Sequence, residues 1–377
     1  MNLRSRSLIV LTLAATSLAA CGSPGPAEEP PLSEEAVAAV TENAGAPAKA
    51  LAREVDDLFT MEGLGETRAL IVMKDGKIAA ERYGEDYDAD TRFVSWSMAK
   101  TVTAMMIGQL VGDGLLRLDA PAPVPRWQRS GDPRADITLR HLLQMRSGLE
   151  HTEAGDPPYE SGEVRMLFLD GRDDMADYAT AQPPEAEPGA KFEYSSNTTV
   201  ILADIAARTL TESSDPEARR RAVSDYLHAR LFDQLGMDSM TLEFDRSGTL
   251  IGGSLMHATA RDWAKLGELM RLKGSHRGEQ LLPRSWVAEM VKPSPKSPHY
   301  GLQTWLNRPN GEPEHPLFPD RAPHSAFSMI GHMGQYVFVS PEQGLTVVRL
   351  GHSNAEERKA MLQQLADVVE LYPAEGR

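Results

Sequence analysis

A serine and a lysine stand three residues apart in the apolar stretch 94–108, as Ser97 and Lys100. Positions i and i+3 share one face of a helix, with Cβ atoms about 5–6 Å apart, so these side chains can touch. A serine hydroxyl is a weak nucleophile until a neighbouring base takes its proton. Burial and the positive start of a helix both disfavour an ammonium, so we expect the pKa of Lys100 to be lowered. The pair therefore predicts nucleophilic catalysis by Ser97, assisted by Lys100.

The same spacing also has a purely structural explanation. Ser95 or Ser97 could cap the helix, while Lys100 lays its stem along apolar surface and keeps its ammonium in water. A serine and a lysine at this spacing occur about once by chance in a chain of this length. From these residues alone, both explanations stand.

Composition excludes several classes of function. The 377 residues carry a formal net charge of −15 and no basic face, so we expect no nucleic-acid partner. The ten histidines include neither an HExxH nor an HxxxH pair and have no cysteine partner, so no metal site is predicted. No glycine-rich phosphate loop follows a predicted strand, and no cofactor is expected.

The first residues predict export and lipidation. Arg4 and Arg6 precede an apolar run over residues 8–18, which is typical of a signal peptide. The sequence LAAC ending at Cys21, the only cysteine, resembles the lipobox of bacterial lipoproteins. We therefore predict a signal peptide over 1–20, a lipid on Cys21 that holds the protein to the membrane, and a flexible tether over 21–46. The alternative is an ordinary secretory signal with a chance cysteine.

The order of elements predicts an α/β (α+β) fold. Asp75-Gly76 between two strand-like runs is typical of a tight hairpin, and three more strand-like runs lie between residues 326 and 351. Residues 95–245 are mostly helical in pattern. We therefore predict one antiparallel sheet domain, made from residues 47–94 plus 246–377 and flanked by helices, with an inserted helical domain over 95–245. A cleft between the two would be the natural site.

Five segments in order resemble the β-lactamase-related serine hydrolases. They begin WSMAKTVTAMM, ITLRHLLQMRSGL, PGAKFEYSSNTT, GGSLMHATARDW and GHMGQYVFV, and together span about residues 65 to 355. That family contains class C β-lactamases, D-alanyl-D-alanine carboxypeptidases, esterases and 6-aminohexanoate-dimer hydrolases. The segments SWSMAKT, DWAKLGELM and GHMGQ are most similar in sequence to the esterases and the 6-aminohexanoate-dimer hydrolases. The resemblance implies a β-lactamase/penicillin-binding-protein-like fold.

The resemblance also implies roles for individual residues. Ser97 would be the nucleophile, Lys100 would assist its deprotonation, and Tyr194 would be the general base that later protonates the leaving group. A protonated Lys100 should make the Tyr194 phenol easier to ionise, with the two groups titrating as a pair. The backbone N–H groups of Ser97 and His332 would hold the oxyanion.

Two departures from the family pattern bear on the substrate. Ser196 stands where class C β-lactamases carry the asparagine of Tyr-x-Asn, with Asn197 one residue late. Residues 329–332 read MIGH where those enzymes have Lys-Thr-Gly, so a carboxylate-binding lysine is missing. The residues predicted to contact substrate are Ser196, Asn197, Asp156, Tyr159 and Gly334.

These expectations combine into one predicted function. The protein would be a membrane-anchored serine hydrolase of the cell envelope, facing away from the cytoplasm, that cleaves a small-molecule ester or amide through an acyl-enzyme. The resemblance to bacterial lipoproteins implies the outer membrane if the cell is Gram-negative, because Gly22 and not an aspartate follows the cysteine. The alternatives are an enzyme like a β-lactamase or D-Ala-D-Ala carboxypeptidase, and a catalytically silent protein that binds a component of the envelope.

Overall fold

A computed structural model describes residues 31–309, 311 and 315–374. Its helices are α1 Glu34–Ala39, α2 Ala48–Thr60, α3 Ala99–Gly112, α4 Leu139–Leu143, α5 Gly162–Phe168, α6 Met175–Ala181, α7 Ser196–Leu210, α8 Pro216–Leu227, α9 Asp233–Leu235, α10 Ala260–Arg271, α11 Arg284–Met290 and α12 Ala355–Glu370. Its strands are β1 Glu66–Lys74, β2 Lys77–Tyr83, β3 Arg92–Val94, β4 Thr241–Leu242, β5 Met256–Thr259, β6 Ser275–His276, β7 Glu279–Gln280, β8 Trp305–Leu306, β9 Phe327–Gly331, β10 Gln335–Ser340 and β11 Leu345–His352. None of these helices is both long and apolar enough to cross a membrane.

The main sheet joins the two ends of the folded chain. Its strand order is β2-β1-β11-β10-β9-β8, and each neighbouring pair is antiparallel. The predicted hairpin is confirmed, because Lys74 pairs with Lys77 across a two-residue turn. Asp75 and Gly76 have φ values of 49° and 79°, which a type I′ turn requires at both central positions. The predicted antiparallel sheet flanked by helices is therefore confirmed.

Strand β1 shows how the sheet is covered on both faces. Successive side chains of a strand point to opposite faces. Leu70 and Val72 belong to the apolar cluster formed with α2 and α12, whereas Ala69 and Ile71 belong to the cluster that continues into α3, α7 and α10. Burying a side chain as large as leucine or isoleucine contributes roughly 1.5–3 kcal/mol, so both layers hold the sheet in place.

The helical region and the sheet region share one core. From Leu32 onward the chain forms a single compact unit. One apolar cluster contains Ile71 of the sheet together with Val102 and Val200 of the helical region. A second sheet, of order β3-β5-β4, takes strands from both sides of the predicted boundaries. The core therefore does not divide where the two predicted domains were expected to meet.

The predicted tether over 21–46 is wrong for its described C-terminal part. Helix α1 lies inside it, capped by the Ser33 hydroxyl, which accepts from the Ala36 N–H at 3.1 Å. That hydroxyl also donates to Asp56 at 2.6 Å, and the Ala44 carbonyl accepts from the Tyr372 hydroxyl at 3.1 Å. A cap followed by two acidic residues starts a helix despite the proline-rich surroundings. Residues 1–30, with the predicted signal peptide and Cys21, lie outside the described residues.

Candidate active site

Ser97 lies in a single 3-10 turn, Trp96–Met98, that leads directly into α3. Helix α3 is buried on all sides, from Ala99 to Leu110, so the turn is fixed by the core beneath it. Trp96 has a φ of 42°, a left-handed conformation that a bulky residue rarely adopts, immediately before the serine. The hydroxyl of Ser95 does not cap the helix; it donates to the Ser254 carbonyl at 3.3 Å. The turn thus presents Ser97, which stays half-buried.

The ammonium of Lys100 is buried and makes three hydrogen bonds. Its Nζ lies 2.9 Å from Ser97 Oγ, 2.7 Å from Ser196 Oγ and 2.8 Å from the Gly253 carbonyl oxygen. The side chain is only 2% exposed, so Lys100 does not extend to water as the structural explanation required. An ammonium has three N–H donors, and each has an acceptor here.

The pKa of Lys100 moves opposite to our prediction. Burial alone would lower it, but Tyr194, Glu153 and Glu163 together outweigh burial, so the pKa is raised above its ordinary value. The carboxylate of Glu153 lies 3.8 Å from the ammonium. The expected lowered pKa is therefore wrong, because burial and the helix start were considered without the acidic groups that the fold brings to the site. The raised pKa makes Lys100 a cation in the resting protein.

Tyr194 lies against both Ser97 and Lys100. Lys100 Nζ is 4.8 Å from the ring centroid, and the phenol is near enough to Ser97 and Lys100 for both to lower its pKa. Tyr300 and Trp305 pack against the ring at centroid distances of 5.9 and 5.2 Å. Burial raises the pKa of Tyr194 above its ordinary value, although Lys100 opposes the rise. Lys100 therefore makes the phenol easier to ionise, as expected, but burial outweighs this effect, and the resting state pairs an ammonium with a neutral phenol.

Strand β9 ends beside the serine. A Cβ on Gly331 would come within 2.3 Å of the Ser95 carbonyl oxygen, so this close approach requires glycine. His332 follows the strand, and its ring packs edge-on against Trp96 at a centroid distance of 5.6 Å. Burial lowers the pKa of the His332 side chain below its ordinary value. The backbone N–H of His332 as second oxyanion donor stays a prediction, at a position next to the turn that carries Ser97.

A cavity of about 400 Å³ opens at Ser97. Apolar and aromatic side chains form much of its wall: Trp96, Ala154, Val164, Leu167, Phe168, Tyr194, Trp305 and Ile330. Two carboxyl groups, Glu153 and Glu163, line it as well, together with the His332 imidazole and the Arg358 guanidinium. In the part of the chain that the structure describes, no three His, Cys, Asp or Glu side chains come together to hold a metal ion.

The residues predicted to contact substrate are dispersed. Ser196 lies in the site, on the Lys100 ammonium, whereas Asn197 is buried and its amide has no hydrogen-bond partner among the described residues. Asp156 and Tyr159 are exposed and do not line the cavity. Gly334 is not among the lining residues either, and its carbonyl accepts from the Arg349 guanidinium at 2.8 Å.

The sequence did not reveal Glu153 and Glu163. They lie at the two ends of the stretch that contains Asp156 and Tyr159, so the correct part of the chain was considered but the wrong residues were chosen. Carboxylates in such a polar stretch usually face water, and no local pattern distinguishes the two that turn inward. Only their contact with Ser196, from a distant part of the chain, identifies them.

Known proteins share both the sequence pattern and the fold. Residues 61–370 match the β-lactamase family model. The 6-aminohexanoate-dimer hydrolase of Paenarthrobacter ureafaciens is 25% identical over 251 residues, which cover 64% of this chain and 61% of that enzyme. The aligned part is thus less than two thirds of that relative.

Two solved structures extend the similarity to the fold. EstCE1, a hydrolase with promiscuous acyltransferase activity, superposes with a TM-score of 0.62 at 18% identity, over 85% of this chain and 99% of its own. A β-lactamase from Mycobacterium bovis superposes with a TM-score of 0.58 at 18% identity, over 85% of this chain and 100% of its own. The predicted β-lactamase-like fold is therefore confirmed.

Proposed function

The chain belongs to the β-lactamase family, and from that premise we propose that it cleaves a small ester or amide through an acyl-enzyme on Ser97. The observation that carries the proposal is the contact of Ser97 Oγ with Lys100 Nζ at 2.9 Å beside the Tyr194 phenol, at the wall of one cavity. A serine next to a proton-transfer pair is the arrangement that nucleophilic catalysis needs.

In the first half-reaction, Ser97 Oγ attacks the substrate carbonyl carbon while its proton passes to the ionised Tyr194. The Lys100 ammonium stabilises that phenolate, because its positive charge lowers the pKa of Tyr194 against the effect of burial. The N–H groups of Ser97 and His332 hold the oxyanion. Tyr194 then gives the proton to the leaving oxygen or nitrogen, and the bond to the carbonyl carbon breaks. Water repeats these steps on the acyl-enzyme and releases the acid.

A substrate without a required anionic group fits the cavity best. Its wall is largely apolar, with Val164, Leu167 and Phe168 on one side and Trp305 on another. The Lys-Thr-Gly lysine that grips a carboxylate in class C β-lactamases is missing from residues 329–332. The relative from Paenarthrobacter is named as a 6-aminohexanoate-dimer hydrolase, which supports testing that dimer beside short esters.

A β-lactam or D-Ala-D-Ala substrate is the second candidate, and one observation favours it. The guanidinium of Arg358 lines the cavity and could bind a substrate carboxylate in place of the missing lysine. Covalent labelling by a fluorescent penicillin would favour this second candidate, and absence of labelling would favour the first.

Loss of the nucleophile is the direct test. We expect Ser97→Ala to lower hydrolysis of p-nitrophenyl butyrate by about 10³-fold or more, with thermal unfolding unchanged. Ser214→Ala, at an exposed serine outside the cavity, should match the wild type. Equal turnover by Ser97→Ala and wild type would refute the acyl-enzyme mechanism. A fluorophosphonate probe that fails to label Ser97 would instead indicate a silent binding protein.

We also propose that Cys21 is lipidated and anchors the protein on the extracytoplasmic side of a bacterial membrane. The support is the pattern of residues 1–21: two arginines, an apolar run and LAAC. Several acyl chains give stable membrane binding. We expect radioactive palmitate to label the wild type in the membrane fraction, and Cys21→Ser to be unlabelled and released. Membrane retention of an unlabelled variant would contradict the anchor.

A further inference from the structure

Two carboxyl groups beside Ser97 have no role in the mechanism above. Glu153 lies in the loop after α4 and Glu163 in the first turn of α5, and both line the same cavity as Ser97. Both reach the hydroxyl of Ser196, which also contacts the Lys100 ammonium. Ser196 therefore joins the carboxyl pair to the catalytic lysine.

The hydrogen bonds of Ser196 require one more proton than the hydroxyl has. Its Oγ lies 2.7 Å from Lys100 Nζ, 2.7 Å from Glu153 Oε1 and 3.0 Å from Glu163 Oε1. A hydroxyl donates one proton and accepts two, and an ammonium only donates. Ser196 can give its proton to one carboxylate alone, so the other carboxyl oxygen must carry a proton and donate it to Ser196.

Glu153 is the ionised member of the pair. Its Oε2 accepts from the Ser196 backbone N–H at 2.6 Å, and its Oε1 is 3.8 Å from the Lys100 ammonium. The Glu163 carboxyl makes one hydrogen bond among the described residues, the one with Ser196. Burial, together with the Glu153 charge, raises the pKa of Glu163 to about 7, in agreement with this assignment.

We propose that Glu163 is a positioning residue for the chemistry at Ser97 and that it works as a neutral carboxylic acid, donating its proton to Ser196. Ser196, with its own proton on Glu153, then presents a lone pair to Lys100, which stays aligned on Ser97. This inference rests on the proposed function. Loss of the Glu163 proton would leave Ser196 Oγ and Glu163 Oε1 facing each other without a proton between them. It would also add a second negative charge to the site, which makes Tyr194 harder to ionise.

Several charged or titratable groups face Glu163, and each enters the pH dependence. They are Lys100 in α3, Glu153 in the preceding loop, Tyr194 before α7, and His332 and Arg358 across the cavity. Below neutral pH the Tyr194 phenolate becomes about tenfold more abundant with each pH unit, because its pKa is raised. Above the pKa of Glu163, loss of the neutral acid cancels this gain, so the reactivity of Ser97 should level off near pH 7.

Glu163→Gln distinguishes a neutral acid that donates its proton to Ser196 from a general base that accepts a proton. The glutamine amide donates an N–H to Ser196 at every pH, so reactivity should keep rising from about pH 7 to 9. We would measure the rate of Ser97 labelling by a fluorophosphonate probe from about pH 5 to 9. Glu160→Gln makes the same change at an exposed position of the adjacent turn and should follow the wild type. Loss of labelling at all pH values in Glu163→Gln would overturn the proposal.

Urea unfolding tests the protonation state without any activity. Because the pKa of Glu163 rises from 4.5 to about 7 on folding, its favourable contribution is complete below about pH 4.5 and is lost by about pH 7. The free energy of unfolding of the wild type, relative to Glu163→Gln, should therefore fall between these values and stay constant above. Glu160→Gln should show no such trend, and a flat difference for Glu163→Gln would overturn the proposal. Neither the labelling rate nor the unfolding free energy depends on ester turnover. A wrong substrate class would therefore be distinguishable from a wrong role for Glu163.

Discussion

Two buried cations in this protein are held in opposite ways. Lys100 is 1% exposed and Arg349 is 0% exposed. Lys100 lies among groups that can gain or lose a proton, and its pKa is raised by Tyr194, Glu153 and Glu163 against the effect of burial. The Arg349 guanidinium donates only to neutral acceptors: Thr67 Oγ1, Ser353 Oγ and the carbonyls of Gly334 and Glu66. Burial lowers its pKa to about 10.

The difference between the partners of Lys100 and those of Arg349 indicates which buried cation can take part in proton transfer. The hydrogen-bond acceptors of Arg349 are carbonyl and hydroxyl oxygens that do not take a proton near neutral pH, so this cation holds strand β11 to its surroundings. A cation in contact with a serine, a phenol and a carboxylate can change the acidity of each of them. The partners of a buried charge, more than its burial, therefore distinguish the proposed active site from a structural one.

Replacing each cation by methionine should have the largest and most divergent effects. Lys100→Met removes the charge that stabilises the Tyr194 phenolate, so kcat/KM for p-nitrophenyl butyrate should fall by about 10³-fold. Arg349→Met leaves several buried acceptors without a donor, which should cost about 3 kcal/mol of unfolding free energy, while activity per folded molecule changes less than about threefold. Urea unfolding and kinetics on both variants measure the contrast. If Lys100→Met and Arg349→Met both fold and lose activity equally, the proposed contrast between the two cations is wrong.

Removing the phenol that faces Lys100 should have the next largest effect. Tyr194→Phe deletes the group proposed to receive the Ser97 proton, so kcat/KM should fall by about 10²-fold or more and lose its rise with pH. Tyr83→Phe, a half-buried tyrosine of β2 outside the cavity, provides the matched control and should retain full activity. Unchanged kinetics in Tyr194→Phe would mean that Lys100 transfers the proton without it.

Removing one partner of Arg349 should have the smallest effect. Thr67→Val keeps the shape of the side chain but takes away the oxygen that accepts from Arg349 Nε at 3.1 Å. We expect a loss of about 1 kcal/mol in the free energy of unfolding and no change in kcat/KM. A loss of activity here would link Arg349 to the catalytic site, against the distinction drawn above.

Features that depend on neighbours in the chain could be predicted. The Asp75-Gly76 hairpin requires only a two-residue turn between two strands, and the closing strands β9, β10 and β11 follow from short β-like runs. The reach of Lys100 to Ser97 follows from helical spacing alone. The position of Tyr194 beside Ser97 and Lys100 does not follow from local spacing. It was predicted only from the resemblance to a family, because Tyr194 is distant from both residues in the chain.

Features that depend on distant groups could not be predicted. The residues over 33–46 looked like a tether because their composition does not show the contacts of Ser33 with Asp56 or of Ala44 with Tyr372. Asp156 and Tyr159 were chosen from a loop whose path was unknown, and the side chains that line the cavity are those of Glu153 and Glu163.

The sequence by itself determined which groups can react and which local contacts they make: a serine, a lysine one helical turn later, and the alternation that buries both faces of the sheet. The tertiary structure alone decided the charge states of those groups. Electrostatic energy depends on the distance between charges and on their burial, and Lys100, Glu153 and Tyr194 become neighbours only when separate parts of the chain fold together. That is why the expected lowering of the Lys100 pKa became a rise.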